Sequence, residues 1–142
     1  MFDDIRQYVE NDPEARYSVI VGTDSQLRER GVTFVTAVVV HRRGKGARYY
    51  YQREEHRHIR SLRQRIFYET SLSLGVAGRI AEWLSSSGIE DVDIEIHLDI
   101  GPNGDTRDLI REIVGMVAGS GFSAKIKPES YGASTVADRY TK

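Results

Sequence analysis

The sequence predicts an α/β domain. It would hold one mixed five-stranded sheet, an antiparallel three-stranded meander plus two parallel strands, flanked by helices. Three observations carry this prediction. Between residues 17 and 53, three stretches rich in β-branched and aromatic residues follow one another with only short polar turns between them, the pattern of a meander. After residue 61 the apolar spacing changes to threes and fours, as in a helix with one buried stripe. Two further strand patterns follow, each reached through a helix, and strands joined by helical crossovers pair in parallel.

Each element has its own signal. Residues 2–11 form a short helix with Phe2, Ile5, Tyr8 and Val9 on one side, and Asp12-Pro13 stops it. The first strand is expected over 17–23, followed by a polar turn around 26–31. The second, 32–41, is apolar in both of its alternating rows, as in a strand covered on both faces. Gly44-Lys45-Gly46 makes the next turn, and 47–53 forms the third strand with Tyr49, Tyr50 and Tyr51. In the long helix Leu62, Ile66, Ser73, Val76, Ala77, Ile80 and Leu84 define the stripe, and Gly88 closes it. Residues 92–99 alternate cleanly, with Val92, Ile94, Ile96 and Leu98 opposite Asp93, Glu95, His97 and Asp99. A Gly-rich loop leads to a helix ending near Ala118, then a fifth strand over 122–127 stopped by Pro128. Residues 134–140 suit a short terminal helix carrying Asp138.

The chain of 142 residues suits a single domain, 1–142, with a proper core. It has no cysteine, which excludes disulfides and Cys-ligated zinc. No apolar run approaches the ~20 residues of a membrane span, and Met1-Phe2-Asp3-Asp4 lacks a signal-peptide pattern; a cytoplasmic location is expected. The net charge of −1 hides an asymmetry. Nine of the 20 Lys and Arg residues fall between His41 and Arg65, against two of the 21 acids.

The carboxylates carry the chemistry. Asp24 closes the first strand in Val19-Ile20-Val21-Gly22-Thr23-Asp24-Ser25-Gln26, and Asp99 closes the fourth. If these strands are parallel neighbours, both acids share one edge of the sheet, where open α/β sheets place ligand sites. Taken alone, Asp24 better suits a turn in which it bonds its own backbone, because Asp is so common in turns. Glu69 falls within the buried stripe of the long helix, and a buried carboxylate without a partner costs several kcal/mol. Several carboxylates together raise one another's pKa, a repulsion that a hard divalent cation relieves. Oxygen-only donors favour Mg²⁺ or Mn²⁺. Two such ions ~3.5–4 Å apart activate water and stabilise the leaving oxygen of a phosphodiester.

This arrangement resembles the ribonuclease H-like superfamily over almost the whole chain after the first helix. More narrowly it resembles the YkuK-type family of bacterial proteins. That resemblance rests on Val21-Gly22-Thr23-Asp24-Ser25-Gln26, on His97-Leu98-Asp99-Ile100-Gly101, and on Lys125-Ile126-Lys127-Pro128 with Ser130-Tyr131 and Ala137-Asp138-Arg139-Tyr140. It implies a ribonuclease H-like fold in which Asp24, Glu69, Asp99 and Asp138 are both catalytic and metal-binding. A divalent-metal-dependent nuclease is the activity so implied.

Other residues have two readings each. The basic run, with Arg42, Arg43, Arg60 and Arg63 and the neighbouring tyrosines, suits contact with RNA, DNA or hybrid phosphates; equally it can keep a sheet edge from pairing. Ser25 and Gln26 suit substrate contact or a turn. His97 suits a proton carrier or a packed structural histidine. Asn103 and Asp105 suit the site or a helix cap. The competing functional reading is a non-catalytic nucleic-acid- or protein-binding module on the same fold. A nucleotide-handling ATPase is disfavoured by the lack of a Gly-Lys-Ser/Thr phosphate loop. The polar row of the fourth strand leaves a dimer possible.

Overall fold

A computed structural model describes residues 1–59, 61–89, 92–100 and 107–126. Helix α1 (Phe2–Glu10) precedes strands β1 (Tyr17–Arg28), β2 (Gly31–Arg42) and β3 (Gly46–His56). Helix α2 (Leu62–Ser86) leads to β4 (Asp93–His97), a 3₁₀ turn (Arg107–Leu109), α3 (Ile110–Gly119) and β5 (Ser123–Lys125). The sheet order is β3-β2-β1-β4-β5. β1 and β2 pair antiparallel from Tyr17↔Arg42 to Arg28↔Gly31, and β2 and β3 likewise. β4 lies parallel to β1 on its other side, from Ser18↔Asp93 to Gly22↔His97, and β5 lies parallel to β4. The meander and the parallel pair are those expected from the sequence.

Local chemistry explains the elements. α1 buries Ile5, Tyr8 and Val9. α2 starts with a capping box: the Ser61 hydroxyl accepts from the Gln64 amide at 3.1 Å, and the Gln64 side chain accepts from the Ser61 amide at 3.3 Å. Its buried stripe is Ile66, Glu69, Thr70, Ser73, Val76, Ala77, Ile80 and Leu84. Leu62, expected in that stripe, is instead exposed at the first helical position. The core fills the space between α2 and the sheet, with Val19, Val21, Val38, Val40 and Ile96 meeting Ile66, Val76 and Ile80, and with α1 and α3 on the flanks. Every residue of β2 from Gly31 to Val40 is buried, as its doubly apolar pattern requires.

β1 differs from expectation. It does not stop at Thr23 but continues through Asp24, Ser25 and Gln26 to Arg28. Its polar composition resembles a turn, yet the ladder to β2 holds it extended, with Gln26↔Thr33 and Leu27↔Val32 still paired. The reversal is then only Glu29-Arg30. The strands expected over 92–99 and 122–127 are also shorter, and the helix expected over 134–140 lies outside the described residues.

Arg42 closes the opposite end of this hairpin. Its guanidinium lies over the Tyr8 ring at 4.1 Å, donates to the Tyr8 carbonyl at 2.5 Å and to the Tyr17 hydroxyl at 3.2 Å. The Tyr17 hydroxyl in turn donates to the Asp12 carbonyl at 2.6 Å. α1, β1 and β2 are tied together through this one side chain.

Gly31 makes the tight reversal possible. Its φ is +155°, and a Cβ there would stand 2.3 Å from the His56 carbonyl oxygen. Backbone, not a flexible side chain, occupies that space. We expect Gly31→Ala to lower stability by roughly 1–3 kcal/mol, measured by urea denaturation; an unchanged midpoint would show that the two chains separate freely here.

Candidate active site

The unequal lengths of β1 and β4 create the site. β4 ends at His97, opposite Gly22, while β1 runs on past Thr23, still paired with β2. Among the described residues this leaves a notch at the carboxyl end of β4. Asp24 follows Gly22 by two residues and Asp99 follows His97 by two, so the adjacent parallel strands bring both acids to this notch. Strand alternation turns Thr23 and Ser25 toward α2, both buried, and places Asp24 in the other row, half-buried.

Helix α2 supplies the third acid. Glu69 is 7% exposed, in the stripe that faces β1. The Ser25 hydroxyl donates to its Oε2. Arg65, one turn earlier, donates through Nε to the Ser25 hydroxyl at 3.2 Å and through Nη2 to the Ser25 carbonyl at 3.4 Å. Asp24 accepts from the Ser25 amide at 2.9 Å. Deeper in, Thr23 Oγ1 lies 2.9 Å from Thr36 Oγ1 and 2.8 Å from Ser73 Oγ, a line of hydroxyls that joins β2, β1 and α2. Between Thr23, Glu69, Ser73, His97 and Asp99 lies a cavity of about 10 Å³, room for about one water.

Burial is the chief cause that pushes the Glu69 carboxyl up to about 8, and the nearby charges of Asp24 and Asp99 raise it further. The hydrogen bond from Ser25 and the charge of Arg65 oppose this. Burial and these neighbouring charges thus favour the protonated form of Glu69. Among the described residues, no group of three or more His, Cys, Asp or Glu side chains stands close enough to hold one ion between them.

A second cluster fixes α2 beside the site. Tyr68 donates to Glu54, and His56 Nε2 lies 2.5 Å from the same carboxylate and 2.7 Å from the Tyr68 hydroxyl. Phe34 packs edge-on against Tyr68, with ring centroids 4.8 Å apart. The Tyr68 hydrogen bond holds Glu54 below the usual carboxylate range; burial, aided by Glu54, raises Tyr68 to about 12. This clamp anchors the helix one residue before Glu69.

The other candidates are dispersed. Arg42 is used in the clasp on Tyr8 and Tyr17. Arg43 pairs with Asp93 at 2.9 Å, and Arg63 with Glu112 at 2.9 Å. Arg42 stands opposite Tyr17, seven residues along β1 from Asp24, about 23 Å at ~3.3 Å per residue. His97 is buried, with Nε2 3.2 Å from Glu95 Oε2 and Nδ1 without a partner among the described residues. Arg60, Asn103, Asp105 and Asp138 lie outside the described residues. The sequence reading counted Arg65 only in the basic run and missed its place beside Glu69 and the Tyr68 clamp, although the four-residue spacing of Arg65 and Glu69 puts them on one helix face.

The Glu69 proton links stability to pH. Unfolded, the carboxyl releases it near 4.5; folded, near 8. Between these values the folded state binds the extra proton. Its stabilising contribution is therefore complete below about pH 4.5 and is lost as pH rises through 8, by at most about 1.4 kcal/mol per pH unit. We expect Glu69→Gln, which cannot ionise, to flatten this slope in metal-free denaturation at pH 5, 6.5 and 8. Equal slopes in both proteins would remove Glu69 as the cause.

The model of the family described as Ribonuclease H-like matches residues 1–142. The uncharacterized protein YkuK of Bacillus subtilis (strain 168) is 38% identical over 152 aligned positions, covering 97% of this chain and 87% of that protein. The antiparallel meander, the parallel pair β1–β4 and the helices on the sheet are consistent with a ribonuclease H-like fold. On this evidence the chain belongs to the ribonuclease H-like family.

Proposed function

We propose that the protein is a divalent-metal-dependent nuclease that hydrolyses phosphodiester bonds of RNA, DNA or a hybrid. Asp24, Glu69 and Asp99 would hold Mg²⁺ or Mn²⁺, with Asp138 assisting. The observation that carries this reading is the buried Glu69 carboxyl, aimed from α2 at the notch beyond β4 and raised by both Asp24 and Asp99. Such a group destabilises the core unless something else selects it.

The donor chemistry fits a hard cation. All the candidate ligands are carboxylate oxygens, and their mutual repulsion is what a divalent charge offsets. A bound ion of this class supplies a Lewis acid that activates water and offsets charge on the leaving oxygen. The chain's own residues do the rest. Arg65 holds Ser25, Ser25 holds the Glu69 oxygen, and the Glu54–Tyr68 clamp keeps α2 in place. Ser25 is the substrate contact nearest the carboxylates. Arg43 and Arg63, and Arg42 with them, would have to exchange their present partners for phosphate, and Arg60 is proposed on its position in the basic run.

A second reading, the non-catalytic binding module, draws on the absence of a closed three-ligand group among the described residues. Cleavage assays separate the two. With labelled RNA, DNA, hybrid and junction substrates and Mg²⁺ or Mn²⁺, we expect the wild type to cleave at least one. Asp24→Asn should reduce this to background with an unchanged melting temperature. Normal cleavage by the variant would overturn the site; no cleavage of any substrate by the wild type would favour the module.

A further inference from the structure

The tip of the β1–β2 hairpin meets the end of β3 at the same end of the sheet as the carboxylates. Gly31 lets the two backbones approach there. Two adjoining clefts result. One, of about 360 Å³, is lined by Arg28, Arg30, Thr33, Glu55 and Arg57 among others. The other, of about 580 Å³, is lined by Glu29, Arg30, Arg57 and His58. Arg30 and Arg57 belong to both. Among the described residues neither forms an ion pair, whereas Arg43, Lys45 and Arg63 each do. Cations left without a carboxylate are those available to a phosphate.

The register ties these clefts to Asp24. Alternation places Asp24, Gln26 and Arg28 in one row of β1. Across the sheet, Asp24 lies level with Val35 and Arg53, and Gln26 with Thr33 and Glu55. The cleft lined by Arg28, Thr33 and Glu55 therefore begins along the same face as Asp24. Arg28 follows Asp24 by four residues, about 13 Å at ~3.3 Å per residue. That is three to four nucleotides of one strand at a rise of ~3.4 Å.

We infer that this paired cleft binds the backbone phosphates of the nucleic-acid strand that runs on from the carboxylates, with Arg30 and Arg57 as its main contacts. The inference rests on the nuclease reading for the identity of the strand. Glu29 and Glu55 border the clefts and leave only a small positive excess over the three arginines. A single small anion gains little there. A strand gains at each phosphate in turn and releases counterions as it does so. The site is therefore one for an extended polyanion.

The test measures binding of labelled single strands by fluorescence anisotropy in EDTA, where no cleavage occurs. It compares the wild type, R30Q/R57Q, R30K/R57K and Lys45→Gln across a salt titration. We expect the Gln pair to weaken binding several-fold and to lower the slope of log K against log salt by about 1.4, two contacts at ~0.7 each. The Lys pair should restore most of that slope, and Lys45→Gln, at the opposite end of the sheet, should leave it unchanged. Wild-type affinity and slope in R30Q/R57Q would overturn the cleft while leaving a cleaving wild type as a nuclease. Arg-dependent binding by a wild type that cleaves nothing with Mg²⁺ or Mn²⁺ would keep the cleft and discard the nuclease. No binding by the wild type at low salt, or tight saturable binding of inorganic phosphate alone, would overturn the extended site.

Discussion

A protonatable carboxyl in the helix–sheet interface is the constraint around which the rest of the molecule is arranged. Glu69 occupies a position between Ile66 and Ser73 where an apolar side chain would pack against β1 at no cost in desolvation. The surroundings are built to accept it. Facing β1 residues Thr23 and Ser25 carry hydroxyls, and Thr36 and Ser73 complete the polar line. Arg65 lies one turn away on the same helix face. A half-satisfied polar group in a core is worse than none, so these residues act as one unit. Replacing any of them changes how well the others are satisfied.

That unit can exist only because the sheet is uneven. Were β4 as long as β1, it would pair with Thr23, Asp24 and Ser25 and fill the notch. By ending opposite Gly22 it stops its ladder to β1 there, while β2 goes on holding β1 extended. The opposite end of the sheet is finished differently. There Arg42 stacks on Tyr8, Lys45 pairs with Asp12, and Arg43 pairs with Asp93. One end is closed by committed cations. The other gathers acids, the buried Glu69 carboxyl, and Arg30 and Arg57, which form no ion pair among the described residues.

The sequence displays the periodic parts of this design and hides the non-local ones. The alternation from Val92 to Asp99 and the threes and fours of α2 are local signals, and they sufficed to bring Glu69 to the sheet and Asp99 to a strand's end. The extension of β1 through Ser25 and Gln26 was not legible, because a polar stretch is held extended only by its distant partners Thr33 and Phe34. The shortness of β4 was equally hidden. Arg65 shows the same limit at the site. Its sequence neighbours say only that it is basic, whereas its hydrogen bonds go to a serine 40 positions away.

Charge follows that rule most clearly. Read along the chain, residues 41–65 form one basic patch. In space they cannot be one, because β3 carries the chain from the clasp end of the sheet to the notch. Its 11 residues span about 36 Å at ~3.3 Å each, several Debye lengths at physiological salt, where the screening distance is ~8 Å. Arg42 and Arg43 therefore exert little field at Asp24. Arg30, outside the run in sequence, shares a cleft with Arg57 at its far end. The electrostatic unit is set by which strand ends meet, and a charge count along the sequence averages over two ends of the sheet that have opposite roles.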